Sequence, residues 1–395
     1  MLSKLLFIFI GLILCVNIFY AQPYQVGHIS MSFYDPARNN REVSTEIYYP
    51  SLITGDNVPV APGVFPYLVF GHGFLMGASD YTKLSDSLVS EGYIVIYVTT
   101  CMTVFTSDHE TFRLDLAFIS SIFYSLNSNI SSSFYGKIID KKAIIGHSMG
   151  GGCTVLAAQN NPNINAIICL SPLGTTNPSA ISVADLVNVP ALIIGASGDS
   201  VCPANTMGIP IYDSLSSTCK VFISIIGGGH CLFGNNSNGA CSLGESASGS
   251  SITITNDQQN DATLDFMIPW LNYHLKNDQN SIISFFDSLQ ISPRVETMNS
   301  CLINSYIDIQ DNSQLSVNCF IHEDNLNIVV YNVTGENLKI QIIDVLGKVV
   351  YNEIEQHHYN EEYVSSIINI NQLNKGIYIV KICDDKKMKS LKIIK

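Results

Sequence analysis

Charged residues are scarce in this sequence, and positively charged ones are the scarcer kind. Only 13% of the 395 residues are charged, with 20 Lys and Arg against 33 Asp and Glu, which gives a formal net charge of -13. A surface of that sign repels a phosphate backbone, and no stripe of Lys and Arg interleaved with aromatic residues offsets the repulsion. These absences exclude nucleic acid as an expected partner.

Cysteine pairs of the kind that bind metal are also missing. None of the eleven cysteines belongs to a C-x-x-C pair, and their spacings are irregular, so the sequence predicts no metal site. Four of them crowd into one stretch of the chain: Cys202, Cys219, Cys231 and Cys241. Four cysteines allow three pairings. We expect Cys202 to pair with Cys219 and Cys231 with Cys241, because short loops between sequence neighbours are the easiest to close.

Beyond its first residues, the chain has no apolar run of the roughly 18 residues needed to span a bilayer. The beginning has Lys4, then an uncharged apolar run at 5–16, then the small Ala21. This is the pattern of a secretory signal peptide over residues 1–21. A retained membrane anchor is the alternative, because no further charge appears before Asp35. After removal of the signal peptide we expect no membrane span, in a compartment that permits disulfides.

Apolar residues, in contrast, are plentiful at 47%, which is enough for a sizeable core. Short apolar runs alternate with helical patterns at 67–70, 80–90, 93–99, 112–126, 143–146, 166–170, 190–195, 221–226 and 264–275. Strands that alternate with helices predict an α/β fold with a doubly wound, mostly parallel sheet. We expect Asp80 to cap the first helix, Gly92 to end it, and Pro269 to kink or stop the last one.

The two ends of the chain differ from this middle part. Residues 24–49 indicate a β-hairpin with a turn at 35–41, at the antiparallel edge of the sheet. Beyond residue 322 there are only short strands and turns, which predict a small all-β, sandwich-like domain. We therefore predict four parts: a signal peptide at 1–21, an α/β domain at 22–290, a linker at 291–321 and the all-β domain at 322–395.

A candidate nucleophile lies in the sequence Gly-His-Ser-Met-Gly at 146–150. The motif follows the predicted strand at 143–146 and precedes a helix-forming run at 153–159. At a sharp strand-to-helix turn a serine is forced outward, and small residues two positions to either side allow the chain to bend that tightly. The context therefore predicts that Ser148 is an exposed nucleophile.

A serine hydroxyl needs an imidazole to take its proton and a carboxylate to orient that imidazole. Asp199 follows one predicted strand and His230 the next, in the order that this kind of site requires. In open α/β sheets, reactive groups gather at the carboxyl ends of the strands. Taken singly, Asp199 could be a turn residue and His230 a loop histidine beside three glycines. Their joint placement predicts a triad with Ser148.

Hydrolysis also needs donors that point at the oxyanion. We expect one from the backbone N–H of Met149, directly after the nucleophile. The second is expected from Phe74, in the loop Gly-His-Gly-Phe at 71–74, with Leu75 as the alternative. We expect His147 to pack beneath the turn and His72 to make structural hydrogen bonds, and neither to act as the base.

These residues resemble the α/β-hydrolase superfamily, and the segment 146–152 is similar to that of its cutinase-like members. The branch includes cutinases, polyester hydrolases, dienelactone hydrolases and esterases similar to platelet-activating-factor acetylhydrolase. The resemblance covers about residues 24–278 and implies hydrolysis of carboxylic esters through an acyl-enzyme, without a cofactor. Where polyester-cleaving members have a tryptophan after the sixth strand, this chain has Ser171, Pro172 and Leu173. Simple ester cleavage is therefore implied more directly than polymer cleavage.

The C-terminal part has a resemblance of its own. The segments 344–350, 373–378 and 392–395 look like the C-terminal sorting domain of type IX secretion. This resemblance implies a Bacteroidetes-type bacterium, passage through the periplasm, the secretion machinery as a partner, and a final location outside the cell or at its surface. A carbohydrate- or surface-binding module is the alternative.

The interval from Ser171 to Asp199 has room for one helix and loops but not for a cap domain, so we predict an open cleft for short or bulky esters. The residues expected to line it are Phe74, Leu75, Met76, Leu173 and Phe233. Three other functions remain as alternatives: an acyltransferase, a lipid-ester hydrolase, and a noncatalytic surface-binding protein on the same scaffold.

Overall fold

The computed structural model describes residues 24–105, 108–235, 239–246, 251–301, 315–322, 325–331, 337–356, 363–384 and 388–395. The predicted signal peptide at 1–21 lies outside these ranges. Within them, no helix combines the length and the apolar character needed to cross a membrane.

Ten strands of the described chain form one large sheet. They are β1 (Gln25–Asp35), β2 (Arg41–Ser51), β3 (Gly55–Asp56), β4 (Phe65–Gly71), β5 (Ile94–Val98), β6 (Ile138–His147), β7 (Ala166–Leu170), β8 (Ala191–Ala196), β9 (Cys219–Ile225) and β10 (Val295–Cys301). Their spatial order is β10-β9-β8-β7-β6-β4-β5-β2-β1-β3. β4 to β9 run parallel, while β2 and β10 pair antiparallel at the two flanks.

Helices cover both faces of this sheet. They are α1 (Thr82–Ser90), α2 (His109–Ile122), α3 (Met149–Ala158), α4 (Ala180–Val183), α5 (Gly208–Ser214), α6 (Gly239–Glu245), α7 (Asn256–Lys276) and α8 (Gln279–Ile291). Alternate residues of β4 enter two different apolar clusters: Tyr67 and Val69 pack with α2 and α3, Leu68 and Phe70 with α1 and α7. A strand that is buried on both faces needs apolar residues at consecutive positions, which is why β4 appears in the sequence as a continuous apolar run. The predicted doubly wound, mostly parallel fold is confirmed.

The antiparallel hairpin at the start of the sheet agrees with the prediction. β1 and β2 pair in register from Gln25 opposite Ser51 to Asp35 opposite Arg41. A short 3₁₀ turn, Pro36–Arg38, connects them, and the Asp35 side chain accepts the N–H of Ala37 at 3.0 Å. The turn chemistry of Asp and Pro thus sets the hairpin where the sequence indicated it.

One helix prediction was wrong, and another was wrong in that the helix does not stop where it was expected to. Asp80 does not cap α1, because residues Ala78–Tyr81 form a 3₁₀ turn and the Asp80 carboxylate accepts the N–H of Gly77 at 2.8 Å. α7 continues through Pro269 without a break. Proline removes one bond to the carbonyl four residues earlier, which here belongs to the exposed Asp265. Burial of Trp270 and its neighbours on the sheet holds the helix together across that gap.

The stretch predicted as a linker, 291–321, contains strands at both of its ends. β10 pairs with β9 from Val295 opposite Ile225 to Cys301 opposite Cys219. Sequence periodicity missed this strand because most of its residues are partly or fully exposed at the edge of the sheet. The limits of the domains remain a prediction.

The C-terminal part is all-β, as predicted. Its described residues form seven strands: β11 (Ser316–His322), β12 (Asn325–Tyr331), β13 (Asn337–Asp344), β14 (Val349–Gln356), β15 (Tyr363–Asn369), β16 (Ile377–Cys383) and β17 (Met388–Ile394). They form a three-stranded sheet, β11-β12-β15, and a four-stranded sheet, β14-β13-β16-β17, whose apolar residues make one cluster. Alternating buried and exposed residues along β13 show that one face of that sheet is covered.

Candidate active site

Ser148 stands at the sharp turn between β6 and α3, with φ 56° and ψ −118°. A non-glycine residue rarely adopts a positive φ, and such strain is held only where the surrounding structure enforces it. Two glycines make the turn possible, because a Cβ on Gly146 would lie 2.1 Å from the Gly150 oxygen and one on Gly150 would lie 2.0 Å from the Gly71 oxygen. The turn therefore has the geometry that the motif predicted.

Two side chains line up behind the serine. His230 Nε2 lies 2.9 Å from Ser148 Oγ, and His230 Nδ1 lies 2.8 Å from Asp199 Oδ2. Asp199 follows β8 and His230 follows β9, so the carboxyl ends of parallel strands bring the three residues together. All three are buried, and only 9% of the surface of Ser148 is exposed. The prediction of an exposed serine was therefore wrong, because the loops at this edge of the sheet pack around the turn. A proton can pass from the hydroxyl to an imidazole whose second nitrogen is held by a carboxylate.

Asp199 is fixed as an anion by its surroundings. Its Oδ1 accepts the N–H groups of Val201 at 2.8 Å and Cys202 at 2.7 Å. Burial alone would raise the pKa of Asp199, but the hydrogen bonds from His230 and from the Cys202 N–H lower the pKa overall. The carboxylate stays charged and can balance an imidazolium on His230.

The loop that carries His230, residues 227–235, is held by buried polar side chains of α6 and α7. Gln259 donates to the Gly229 oxygen at 2.8 Å and accepts the Gly229 N–H at 2.9 Å. Asn260 donates to the Leu232 oxygen at 2.9 Å, and Glu245 accepts the Cys231 N–H at 2.9 Å. Burial raises the pKa of Glu245. None of these supporting residues was found from the sequence, because an isolated Gln, Asn or Glu gives no motif.

The two other histidines near the site have the supporting positions expected of them. His147 is fully buried, and burial together with the neighbouring His230 lowers its pKa to about 3. His72 lies within 2.8 Å of the carbonyl oxygens of Gly73 and Thr100, which joins the loops after β4 and β5. Neither contacts the Ser148 hydroxyl as a base would.

The two predicted oxyanion donors belong to different segments of the chain. Met149 is the first residue of α3, where a backbone N–H has no partner within the helix. Phe74 is in the loop after β4, which is tied to the turn because Gly150 donates to the His72 oxygen at 3.1 Å. Leu75 in the same loop has φ 59°. The assignment of Met149 and Phe74 as donors stays a prediction.

The predicted cleft residues separate into two groups. Phe74 is 45% exposed, and Leu75 and Leu173 are partly exposed. Met76 and Phe233 are instead buried in the core, where Met76 lies against Tyr81 and Phe233 packs on His147. Because they have almost no accessible surface, the prediction that these two line an open cleft was wrong. Sequence alone could not tell which apolar side chains of a loop turn inward.

The loop after β5 carries exposed apolar residues that the sequence reasoning missed. Met102, Val104 and Phe105 are 36%, 62% and 100% exposed, and Met102 reaches the backbone of Gly77 in the neighbouring loop. Their signal was available, because apolar residues that directly follow a parallel strand at its carboxyl end lie at the edge where ligands bind.

One disulfide was predicted correctly and one was not. Cys231 pairs with Cys241, but Cys219 pairs with Cys301 and leaves Cys202 free. Cys202 follows the carboxyl end of β8 while Cys219 begins the parallel β9, so they lie at opposite edges of the sheet. Burial, then the charge of Asp199, raises the pKa of the Cys202 thiol to about 12. Closeness in sequence therefore misled the pairing. Among the described residues, no cluster of His, Cys, Asp and Glu could hold a metal ion.

Two family models match the chain. One, described as PET hydrolase-like, covers residues 37–280, and the other, a secretion system C-terminal sorting domain, covers residues 310–395. The second match supports the expected location outside the cell or at its surface, and with it the export of the protein.

Curated relatives agree with the first match. A bis(hydroxyethyl) terephthalate hydrolase of Streptomyces coelicolor is 30% identical over 183 residues, 45% of this chain and 52% of the relative. Cutinase 1 and cutinase 2 of Thermobifida cellulosilytica are 31% and 32% identical, each over 47% of this chain and 64% of the relative. The chain thus spans between half and two thirds of the length of the curated relatives it matches.

Proposed function

The chain belongs to the PET hydrolase-like family, and from that premise we propose that it hydrolyses carboxylic esters with Ser148 as nucleophile, His230 as base and Asp199 as the carboxylate that orients the base. One observation carries the proposal. The hydroxyl, imidazole and carboxylate form a continuous buried chain of hydrogen bonds of 2.9 and 2.8 Å at the carboxyl edge of the sheet. Such a chain is what converts an ordinary serine into a nucleophile.

The first half of the reaction forms an acyl-enzyme. Ser148 Oγ attacks the ester carbonyl carbon while its proton moves to His230 Nε2, and the carbonyl oxygen becomes an oxyanion. The N–H groups of Met149 and Phe74 are the proposed donors to that oxygen. Collapse of the tetrahedral intermediate breaks the bond to the alcohol oxygen, which leaves with the proton from His230.

The second half repeats these steps with water. His230 takes a proton from a water molecule that attacks the acyl carbon, and Ser148 leaves with that proton as the carboxylic acid is released. Asp199 keeps its charge throughout, because two backbone N–H groups and His230 bind it. No cofactor has a part in this sequence of steps.

The proposed substrates are short or bulky esters that enter an open cleft. Between β7 and β8 the chain forms only α4 and a 3₁₀ turn, Ala184–Leu186, so no cap domain is inserted there. The exposed Phe74 and the partly exposed Leu173 offer apolar surface beside the serine. The names of the relatives suggest terephthalate and cutin-like esters as the first compounds to compare with simple acyl esters.

The test is hydrolysis by the purified protein of p-nitrophenyl esters of increasing acyl length and of bis(hydroxyethyl) terephthalate. Ser148→Ala should lower kcat by on the order of a million-fold if the triad acts as a unit. Ser121→Ala, which removes an exposed hydroxyl of α2, is the matched control and should keep kcat within about twofold. Hydrolysis that survives Ser148→Ala would refute the proposed function.

We further propose that residues 310–395 address the protein to the secretion machinery. Deletion of the chain from residue 310 onward should leave the protein inside cells that have such a system, while the full chain appears in the medium or on the cell surface. Equal amounts of both forms in the medium would contradict this part.

A further inference from the structure

Two fully buried polar side chains lie beneath the site and take no part in the reaction described above. They are Tyr81, next to α1, and His147, the residue directly before Ser148. Tyr81 Oη lies 2.9 Å from the Gly73 nitrogen and 2.9 Å from His147 Nδ1, and His147 Nε2 lies 3.0 Å from the His230 oxygen. A single path of hydrogen bonds therefore runs from the loop after β4 to the loop after β9.

The proton positions along this path follow from the chemistry of its ends. The His230 carbonyl oxygen can only accept, so Nε2 of His147 must carry the proton. Nδ1 of a neutral His147 then has a bare lone pair and accepts the Tyr81 hydroxyl proton, while the Tyr81 oxygen accepts the Gly73 N–H. Met76 Sδ, 3.2 Å from the hydroxyl, is the weaker competing acceptor. Each donor thus has an acceptor in this arrangement.

Neutral His147 also suits the chemistry above it. The rings of His147 and His230 are 4.8 Å apart, and His230 becomes an imidazolium when it takes the serine proton. A second positive charge at that distance would oppose the transfer. Because burial lowers the pKa of His147 to about 3, the ring is uncharged at neutral pH.

We propose that Tyr81 and His147 are positioning residues that set the distance between the general base and the oxyanion-binding loop. His147 is covalently joined to the nucleophile, bonded to the backbone of the base, and connected through Tyr81 to Gly73, the residue before Phe74. This inference rests on the proposed function, since it takes His230 as the base and the loop after β4 as the source of an oxyanion donor. Small displacements of such groups lower kcat strongly.

A purely structural role would give a different result. Removal of any buried, hydrogen-bonded hydroxyl destabilises a protein, so loss of stability alone carries no information about positioning. Tyr67 of β4 provides the matched comparison, because it is as deeply buried as Tyr81 and its hydroxyl donates to the Ser120 oxygen at 2.8 Å. It packs in the apolar cluster on the opposite face of the sheet from Tyr81.

The experiment compares Tyr81→Phe with Tyr67→Phe in the full chain, by p-nitrophenyl acetate kinetics and thermal unfolding. Both variants should lose a similar number of degrees in Tm. Tyr81→Phe should also lose about tenfold in kcat with KM changed less than about twofold, because positioning acts on the transition state rather than on substrate binding. Tyr67→Phe should keep the kcat of the wild type.

A second pair of variants covers the case in which Tyr81→Phe does not fold. His147→Gln keeps an amide donor that can reach the His230 oxygen, whereas His147→Leu removes it, so the Gln variant should retain several-fold more kcat. Unchanged kcat in Tyr81→Phe, equal loss in Tyr67→Phe, or equal kcat in the two His147 variants would overturn the inference. If the wild type itself cleaves no ester and is not labelled by a fluorophosphonate, the proposed function fails and this inference fails with it.

Discussion

The loop after β9 and the loop after β5 end at the same edge of the sheet, yet they present opposite surfaces. In the first, residues 227–235, buried side chains of Gln259, Asn260 and Glu245 bond to the backbone. In the second, Val104 and Phe105 are 62% and 100% exposed. We therefore expect the two loops to have different roles. The loop after β9 should hold the reacting groups in place, and the loop after β5 should offer apolar surface to a substrate.

The two roles need different properties of a loop. A general base must stay within a few tenths of an ångström of its productive position, which requires buried contacts that leave no alternative conformation. An apolar substrate surface gains its affinity from area removed from water, and this needs exposure rather than a fixed geometry. Changes in the loop after β9 should therefore lower kcat, and changes in the loop after β5 should raise KM.

Among the residues that hold His230 in place, Asp199 should give the largest effect when it is changed to Asn. An amide in place of the carboxylate would favour the wrong tautomer of His230, and kcat should fall by about ten thousand-fold with KM little changed. Asp185→Asn, at an exposed carboxylate between β7 and β8, is the control and should have no effect on kcat. A loss of less than about tenfold in Asp199→Asn would mean that the carboxylate does not orient the base.

A second test removes a side chain that supports the backbone of the His230 loop and is not itself part of the triad. Gln259→Leu leaves the N–H and C=O of Gly229 without their partner, which should cost about 2–4 kcal/mol of unfolding free energy. We expect kcat to fall by about ten- to a hundredfold as the loop loosens. Gln290→Leu, an exposed position of α8, is the control in urea unfolding and kinetics. A wild-type kcat in Gln259→Leu would show that the position of His230 does not depend on this support.

The two disulfides should separate stability from activity. Cys219–Cys301 closes 82 residues at the far edge of the sheet, and Cys231–Cys241 closes 10 residues beside His230. In the chain-entropy model Cys301→Ser should cost about 4–5 kcal/mol and Cys241→Ser about 2–3 kcal/mol. We expect Cys241→Ser nevertheless to lose more kcat, severalfold, because its bond lies next to the base. The opposite ranking of kcat would show that the His230 loop does not need this link.

The smallest effect on kinetics is expected for an exposed residue of the loop after β5. Phe105→Ala should change the unfolding free energy by less than about 0.5 kcal/mol, because the side chain is fully exposed. KM for bis(hydroxyethyl) terephthalate should rise severalfold, while KM for p-nitrophenyl acetate stays unchanged. Val64→Ala, an exposed apolar residue before β4, serves as the control. An equal change in both KM values would mean that Phe105 does not select bulky esters.

Several parts of the fold and site were predictable because their signals are local. The strands of the parallel sheet appear as short apolar runs, and the turn at Ser148 has small residues where its geometry needs them. Asp199 and His230 each follow a strand of that sheet, and parallel strands that end at one edge bring the two residues together. Asp80 does not cap α1 because a nearby turn takes its carboxylate, and α7 does not stop at Pro269 because the burial of the helix outweighs the local rule.

The disulfides show where local reasoning stops. The Cys231–Cys241 pair was predictable from closeness in sequence, but Cys202 and Cys219 are also close in sequence and end at opposite edges of the sheet. The true partner of Cys219, Cys301, lies on an edge strand that has little apolar pattern. Only the pairing of β9 with β10 brings these two residues together.

The amino-acid sequence by itself determined the class of fold, the turn that presents Ser148 and the triad proposed around it, since each depends on residue spacing and local turn chemistry. The tertiary structure decided which distant side chains hold that site, including Gln259, Glu245 and the pair of Tyr81 and His147. It also decided which apolar loop residues point inward, as Met76 does, and which outward, as Phe105 does. These choices depend on contacts between segments far apart in the chain, and such contacts exist only once the sheet has brought its strand ends together.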